Sequence, residues 1–395
     1  MYETEYFPFQ SSRYRSQSHT TAMNLFRVSK QCQALAAEFL FREVWVRHGA
    51  HGLLRSLKGS VQSEGYGRHV RHLMLPSKLV NHDAANPIRL LDILACCPHL
   101  QILVKPIFHG KQDNRFWFNL IPAAQLQTKD VILTSLKRLD WSSSGYMEDK
   151  TLEASGSILS NLIVRSPNLR YLSVLWQPGP IFKDVDRSGH TIPFPSLTTL
   201  HLAGYAGLWR AGIQPGDTPK LINLILHPRN LTLDQGDSSV VDVVGSQLRV
   251  VELLRDVGSF STLGDHHFFT QCPNLQEFAY HIGVPRLLPL DALQHFALKR
   301  VHLRIGGLDD LRQRYESFAR TGSFWRLLKR EFANLSAHTF PALTHVVLHG
   351  DWNSVVQDSR FRSTRQLVLD RGCSLEYPDG TPVTIITTQC DTAAR

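Results

Sequence analysis

Along most of the chain, apolar residues recur in one phrase, L-x-x-L-x-L, with Val, Phe, Tyr or Trp allowed at the Leu positions. It reads Val70/Leu73/Leu75, Leu100/Leu103, Leu136/Leu139/Trp141, Leu169/Leu172/Val174 and Leu197/Leu200/Leu202. It continues as Leu221/Leu224/Leu226, Leu248/Val251/Leu253, Leu275/Phe278/Tyr280, Leu298/Val301/Leu303 and Leu343/Val346/Leu348. The copy at Leu100 is imperfect, with Lys105 in its third slot, and "FREVWVR" offers an earlier copy, Phe41/Val44/Val46. Apolar positions separated by one residue lie on the same side of an extended chain, so each copy predicts a short strand with one apolar face. Ahead of several copies stand "IRLLDILACC", "GSILSNLIVRS" and "SVVDVVGSQL", whose apolar spacing suits a one-sided helix. Between helix and strand lie "CPHL", "SPNL", "CPNL", "FPSL" and "FPAL". The proline ends the helix, because it lacks the N–H that the next turn requires, and the following Leu opens the strand.

First positions of successive copies are 30, 36, 33, 28, 24, 27, 27, 23 and 45 residues apart. One helix-turn-strand unit cannot bury its apolar face alone, whereas a stack of them can. The Leu and Cys residues of the phrase therefore read as core rather than chemistry.

The phrase, its period and the "CPNLQEF" and "CPHLQIL" units resemble leucine-rich repeats of the Cys-containing kind. The expected fold class is α/β: a leucine-rich-repeat solenoid with parallel strands on the concave face, helices on the convex face and a short helical N-terminal cap. Such repeats commonly follow an F-box, and "NLFRVSKQCQALAAEFLFREVWV" (24–46) looks like the second half of one. The matching residues are Leu25, Val28, Ser29, Lys30, Leu35, Leu40, Phe41, Arg42 and Val44. The ending "DRGCSLEYPDG" is similar to the tails of many fungal F-box-like chains. The organisation expected is a disordered tail over 1–21, a partial F-box-like segment over 22–48 and the solenoid over 49–395.

The resemblance implies a non-catalytic substrate-recognition subunit of a cullin-RING ubiquitin ligase. Leu25, Val28, Leu35, Leu40 and Phe41 would then contact a Skp-type adaptor, while the solenoid holds a protein client. The family's "L-P-x-E" opening and first helix have no counterpart in the polar "YFPFQSSRYRSQSHTTAM". That departure removes part of the docking surface. The alternative is a repeat scaffold with no ubiquitin role, its N-terminal segment serving as the polar-faced cap a solenoid needs.

Composition narrows the rest. With 43% hydrophobic and 19% charged residues in 395, the chain can bury a large core. Six cysteines without a C-x-x-C pair read as reduced thiols of a cytoplasmic or nuclear protein. The first twenty residues carry no signal-peptide apolar region, and no run of 18 apolar residues exists, so no membrane span is expected. "NLT" at 230 and "NLS" at 334 are then chance sequon matches.

Nineteen His invite a metal reading, yet His266-His267 lacks H-E-x-x-H spacing and a Cys pair, so no metal and no cofactor is expected. P-loop, G-x-S-x-G, dinucleotide and kinase signatures are missing, and the chain reads as no enzyme.

Positions flanking the second and third apolar slots should point away from the core. That row carries His72, Arg138, Asp140, Tyr171, His201, His227, Glu277 and His281, then Arg300, His302, Arg304, His345 and His349. The last five are the expected client-binding cluster. Net charge is +9, and nine Lys/Arg against four Asp/Glu fall between Lys299 and Glu331. The insertion there, "GLDDLRQRYESFARTGSFWRLLKREFANL", reads as two helices broken at Thr321-Gly322, with Phe318, Phe324, Trp325 and Leu328 inward and Arg326, Lys329 and Arg330 outward. It is either a solvated helical face or a dock for an acidic partner. No nucleic-acid motif accompanies the charge, which argues against that partner.

Overall fold

The turn that opens the phrase recurs along the chain. In the computed structural model of the chain, the N–H of Leu100 donates to the Cys97 carbonyl at 3.1 Å. Leu169 does so to Ser166, Leu197 to Phe194, Leu275 to Cys272 and Leu343 to Phe340, all at 3.1–3.2 Å. Proline at the second position of a four-residue turn has the φ this bond needs. The geometry persists where the second residue is not proline: Leu248 donates to Gly245 and Leu136 to Leu133.

The structure describes residues 21, 24–46, 50–60, 63–75, 88–106, 120–121, 131–142, 158–175, 193–203, 216–226, 240–254, 269–282, 294–305 and 323–384. Apart from Thr21, the tail expected over 1–21 lies outside them. So do His227, His266, His267, Phe318, the sequon at 230 and the first half of the insertion.

The chain divides into two units, Met1–Leu221 and Ile222–Arg395. The first opens with helix α1 (Lys30–Arg42), started by Ser29, whose hydroxyl accepts from the Cys32 N–H at 3.1 Å. Then follow β1 (Glu43–Trp45), α2 (Ala50–Lys58), β2 (His72–Met74), α3 (Leu90–Ala95) and β3 (Ile102–Lys105). After them come β4 (Arg138–Ser142), a helix over 158–164, β5 (Tyr171–Leu175) and β6 (Thr199–Ala203). Each of these strands pairs in parallel with the next in chain order. β1 falls inside residues 22–48, the segment expected to be F-box-like, so that segment contributes the first rung of this sheet.

The second unit holds β7 (Asn223–Leu226), α4 (Val240–Val244), β8 (Val250–Leu253), β9 (Glu277–His281) and β10 (Arg300–Arg304). It ends with α5 (Ser323–Asn334), β11 (His345–His349), α6 (Asn353–Val356), α7 (Ser359–Leu369) and β12 (Ser374–Glu376). These strands too are parallel and paired in chain order. The protein is thus α/β with open parallel sheet in both units. No described helix is long and apolar enough to cross a membrane.

Register explains the phrase. The second slots align across strands, Leu73↔Leu103↔Leu139↔Leu172↔Leu200 in one unit and Leu224↔Val251↔Phe278↔Val301↔Val346 in the other. Every apolar slot of the ten copies is buried. Each fully buried Leu or Val contributes about 1.5–3 kcal/mol, so the stacked rows hold the fold together. The apolar stretches expected to be helices are helical: α3, 158–164 and α4. Phe324, Trp325 and Leu328 of α5 face inward, and Arg326, Lys329 and Arg330 are exposed.

Two glycines take the turn position that Cys97 and Cys272 occupy elsewhere. A Cβ on Gly67 would sit 1.9 Å from the Cys96 carbonyl oxygen, and one on Gly245 would sit 2.5 Å from that of Gln271. Neighbouring turns approach backbone to backbone there, and only glycine allows it.

Candidate functional site

Four of the five expected client-binding residues meet in one polar network of the second unit. Glu277 opens β9 directly opposite Arg300 of β10, and their side chains pair at 3.2 Å. His302 lies two residues on, so its Nε2 reaches the other Glu277 oxygen at 3.3 Å. Its Nδ1 lies 2.9 Å from Nε2 of His349, a diagonal neighbour on β11. Arg304 spans further: its guanidinium reaches Glu252 on β8 at 2.9 Å, across the intervening β9. Two strand spacings make about 10 Å, which the long Arg and Glu side chains cover together. His345 stands opposite Arg300 but turns to the Thr344 hydroxyl at 2.7 Å, outside the network.

The electrostatics follow from burial and from these contacts. The His302 hydrogen bond, with help from Arg300, holds the Glu277 carboxyl below the usual carboxylate range although burial opposes it. Burial, followed by the nearby His302 and Arg304 charges, pushes His349 down to about 3, so its ring is neutral at ordinary pH. A carboxylate only accepts, so His302 carries a hydrogen on Nε2 toward Glu277. The network thus matches two arginines with two glutamates, while Nε of Arg300 and Nε of Arg304 are buried without a hydrogen-bond acceptor.

The row is less exposed than its sequence position implied. His302 and Glu252 are buried, as are their row-mates Ile225, Ala279 and Val347. Strands about 4.8 Å apart let each side chain cover its neighbour, so mid-strand positions lose water even away from the core. The first unit repeats the theme. Arg138 forks onto Asp140 at 2.6 and 3.2 Å, its guanidinium lies 4.2 Å from the Tyr171 ring centroid, and Ser173 bonds His201 at 3.0 Å. Burial keeps the Asp140 carboxyl above its ordinary range, against the pull of Arg138. Among the described residues no cluster of three His, Cys, Asp or Glu could hold a metal ion.

The residues expected at an adaptor interface divide into two groups. Leu25, Val28 and Leu35 are 47%, 70% and 73% exposed, and Phe39, one helical turn after Leu35, is 55% exposed. Leu40 and Phe41 are half-buried, and Phe41 stacks on Tyr66 at 4.4 Å between ring centroids. The inner side of α1 buries Ala36 and Ala37. α1 therefore docks on the first unit through one side and leaves an apolar stripe on the other. Sequence reasoning did not single out Phe39; the Leu35–Phe39 spacing is the signal that finds it.

Sequence reasoning also missed Glu252, the partner of Arg304, which no periodicity connects to a residue 52 positions away. No protein-family model matches the chain, and no curated protein matches it in sequence.

Proposed function

We propose that the chain is a leucine-rich-repeat solenoid that serves as a non-catalytic client receptor of a cullin-RING ubiquitin ligase, in the cytosol or nucleus. One observation carries the reading: four of the seven large apolar side chains exposed among the described residues lie between Leu25 and Phe39. A folded protein keeps such a patch where a partner covers it. The segment is also the one whose residues resemble an F-box, so the partner proposed is a Skp-type adaptor. The client would meet the polar strand face around Arg300, His302, Arg304, His345 and His349. With both arginines paired internally, that face suits a partner that offers hydrogen bonds rather than a run of like charge.

A pull-down of the purified chain with the host's Skp-type adaptor tests this. The wild type should retain the adaptor, and a Leu35→Asp/Phe39→Asp variant should lose it while unfolding at the same temperature, since both side chains are exposed. Failure of the wild type to bind would support the second reading, a repeat scaffold without a ubiquitin role. That reading has its own support: β1 is already a rung of the sheet, so the segment caps the fold whether or not it docks an adaptor.

A further inference from the structure

α5 and α7 pack together, and their charge is one-sided. Arg326, Lys329 and Arg330 project from α5, and Arg360, Arg362 and Arg365 belong to α7. The only carboxylate within either helix is Glu331, which is buried against the Tyr280 hydroxyl at 3.1 Å. Asp358, the N-cap of α7, neutralises Arg360 at 2.6 Å. Arg326, Lys329, Arg362 and Arg365 have no carboxylate within ion-pairing distance among the described residues. Packed helix axes lie about 8–10 Å apart, close to one screening length of about 8 Å, so the cations of the two helices are only partly screened from one another.

We propose that the α5–α7 face docks an acidic polypeptide segment, its Asp and Glu carboxylates received by Arg326, Lys329, Arg362 and Arg365. The chemistry selects polypeptide over the other polyanions. Both helices have spent their apolar residues internally: Phe324, Trp325, Leu328, Phe332, Phe361 and Val368 are buried. Trp325 is roofed by Arg360, 4.7 Å from its ring centroid. No aromatic is left to stack on bases, and no apolar ridge is left to enter a bilayer. The face shares no residue with the strand network or with α1, so its failure leaves the ligase reading untouched.

The test measures fluorescence anisotropy of a labelled 20-residue poly-glutamate peptide against the full chain at low and high salt. An Arg326→Glu/Lys329→Glu/Arg362→Glu variant is compared with a Lys137→Glu/Arg249→Glu/Lys299→Glu control that changes net charge equally. All six side chains are exposed, and thermal unfolding confirms the fold. Should the reversed variant fail to fold, the corresponding Gln variant replaces it. The α5–α7 variant should bind at least about tenfold more weakly, and the control within about threefold of wild type. Equal weakening in both, or no binding by the wild type, overturns the proposal. Tighter binding of a 20-base-pair duplex or of phosphatidylserine vesicles through the same residues overturns it in favour of those partners.

Discussion

Lys105 occupies a slot that every full copy of the phrase fills with an apolar residue. It aligns with Trp141 on β4, is 4% exposed and donates from Nζ to the Ser142 carbonyl, with the Trp141 ring centroid 5.4 Å away. Burial lowers its amine from 10.5 to about 8. Lysine that is charged in water thus meets an environment that disfavours the charge, and the difference corresponds to about 3 kcal/mol. Because the folded-state value lies below the unfolded one, the penalty is absent above pH 10.5. It grows as pH falls toward 8, and it stays constant below that. Lys105→Met keeps a long flexible side chain and removes the charge. The Ser142 carbonyl loses its donor, a cost of about 1 kcal/mol. The expected net gain is about 2 kcal/mol at pH 7. Urea unfolding at pH 7 and pH 10.5, with wild type and variant compared at each, measures it. The variant should be the more stable at pH 7, and its advantage should vanish or reverse at pH 10.5. A variant no more stable at pH 7, or one whose advantage does not change with pH, would refute the assignment of the penalty to the buried amine.

Three further substitutions probe the core. Glu331 is buried on α5, and burial holds its carboxyl above the ordinary range. It therefore contributes stability below its unfolded value that is lost as pH rises through the raised folded one. Glu331→Gln should flatten this decline and raise the neutral-pH melting temperature, while Tyr280→Phe, which strips the donor from a buried carboxylate, should cost about 1–3 kcal/mol in urea unfolding at pH 7. Gly245→Ala should cost about 1–3 kcal/mol in the same assay, since its Cβ would meet the Gln271 carbonyl oxygen at 2.5 Å and backbone must shift to admit it.

Much of the sheet was legible because the phrase is local. Leu-x-x-Leu-x-Leu sets strand, face and burial within six residues, and the preceding Pro sets the turn; all ten copies supply buried slots where expected. β12 escaped notice because it offers a single core slot, Leu375, paired opposite Val346, too little pattern to distinguish from a tail. The site was legible as a row but not as a network. Arg300, His302 and Arg304 alternate on one strand, so their common face follows from the sequence. Their partners do not.

The sequence by itself determined which residues are core, where the turns fall and that α5 presents its cations outward, because each depends on spacing inside one segment. Only the tertiary structure decided the register between strands. That register places Glu277 against both Arg300 and His302 and lets Arg304 reach Glu252, while helix packing sets α7 against α5. Those pairings join residues tens of positions apart, and the physics that selects them, close packing and the pairing of buried charge, acts only once the copies are stacked.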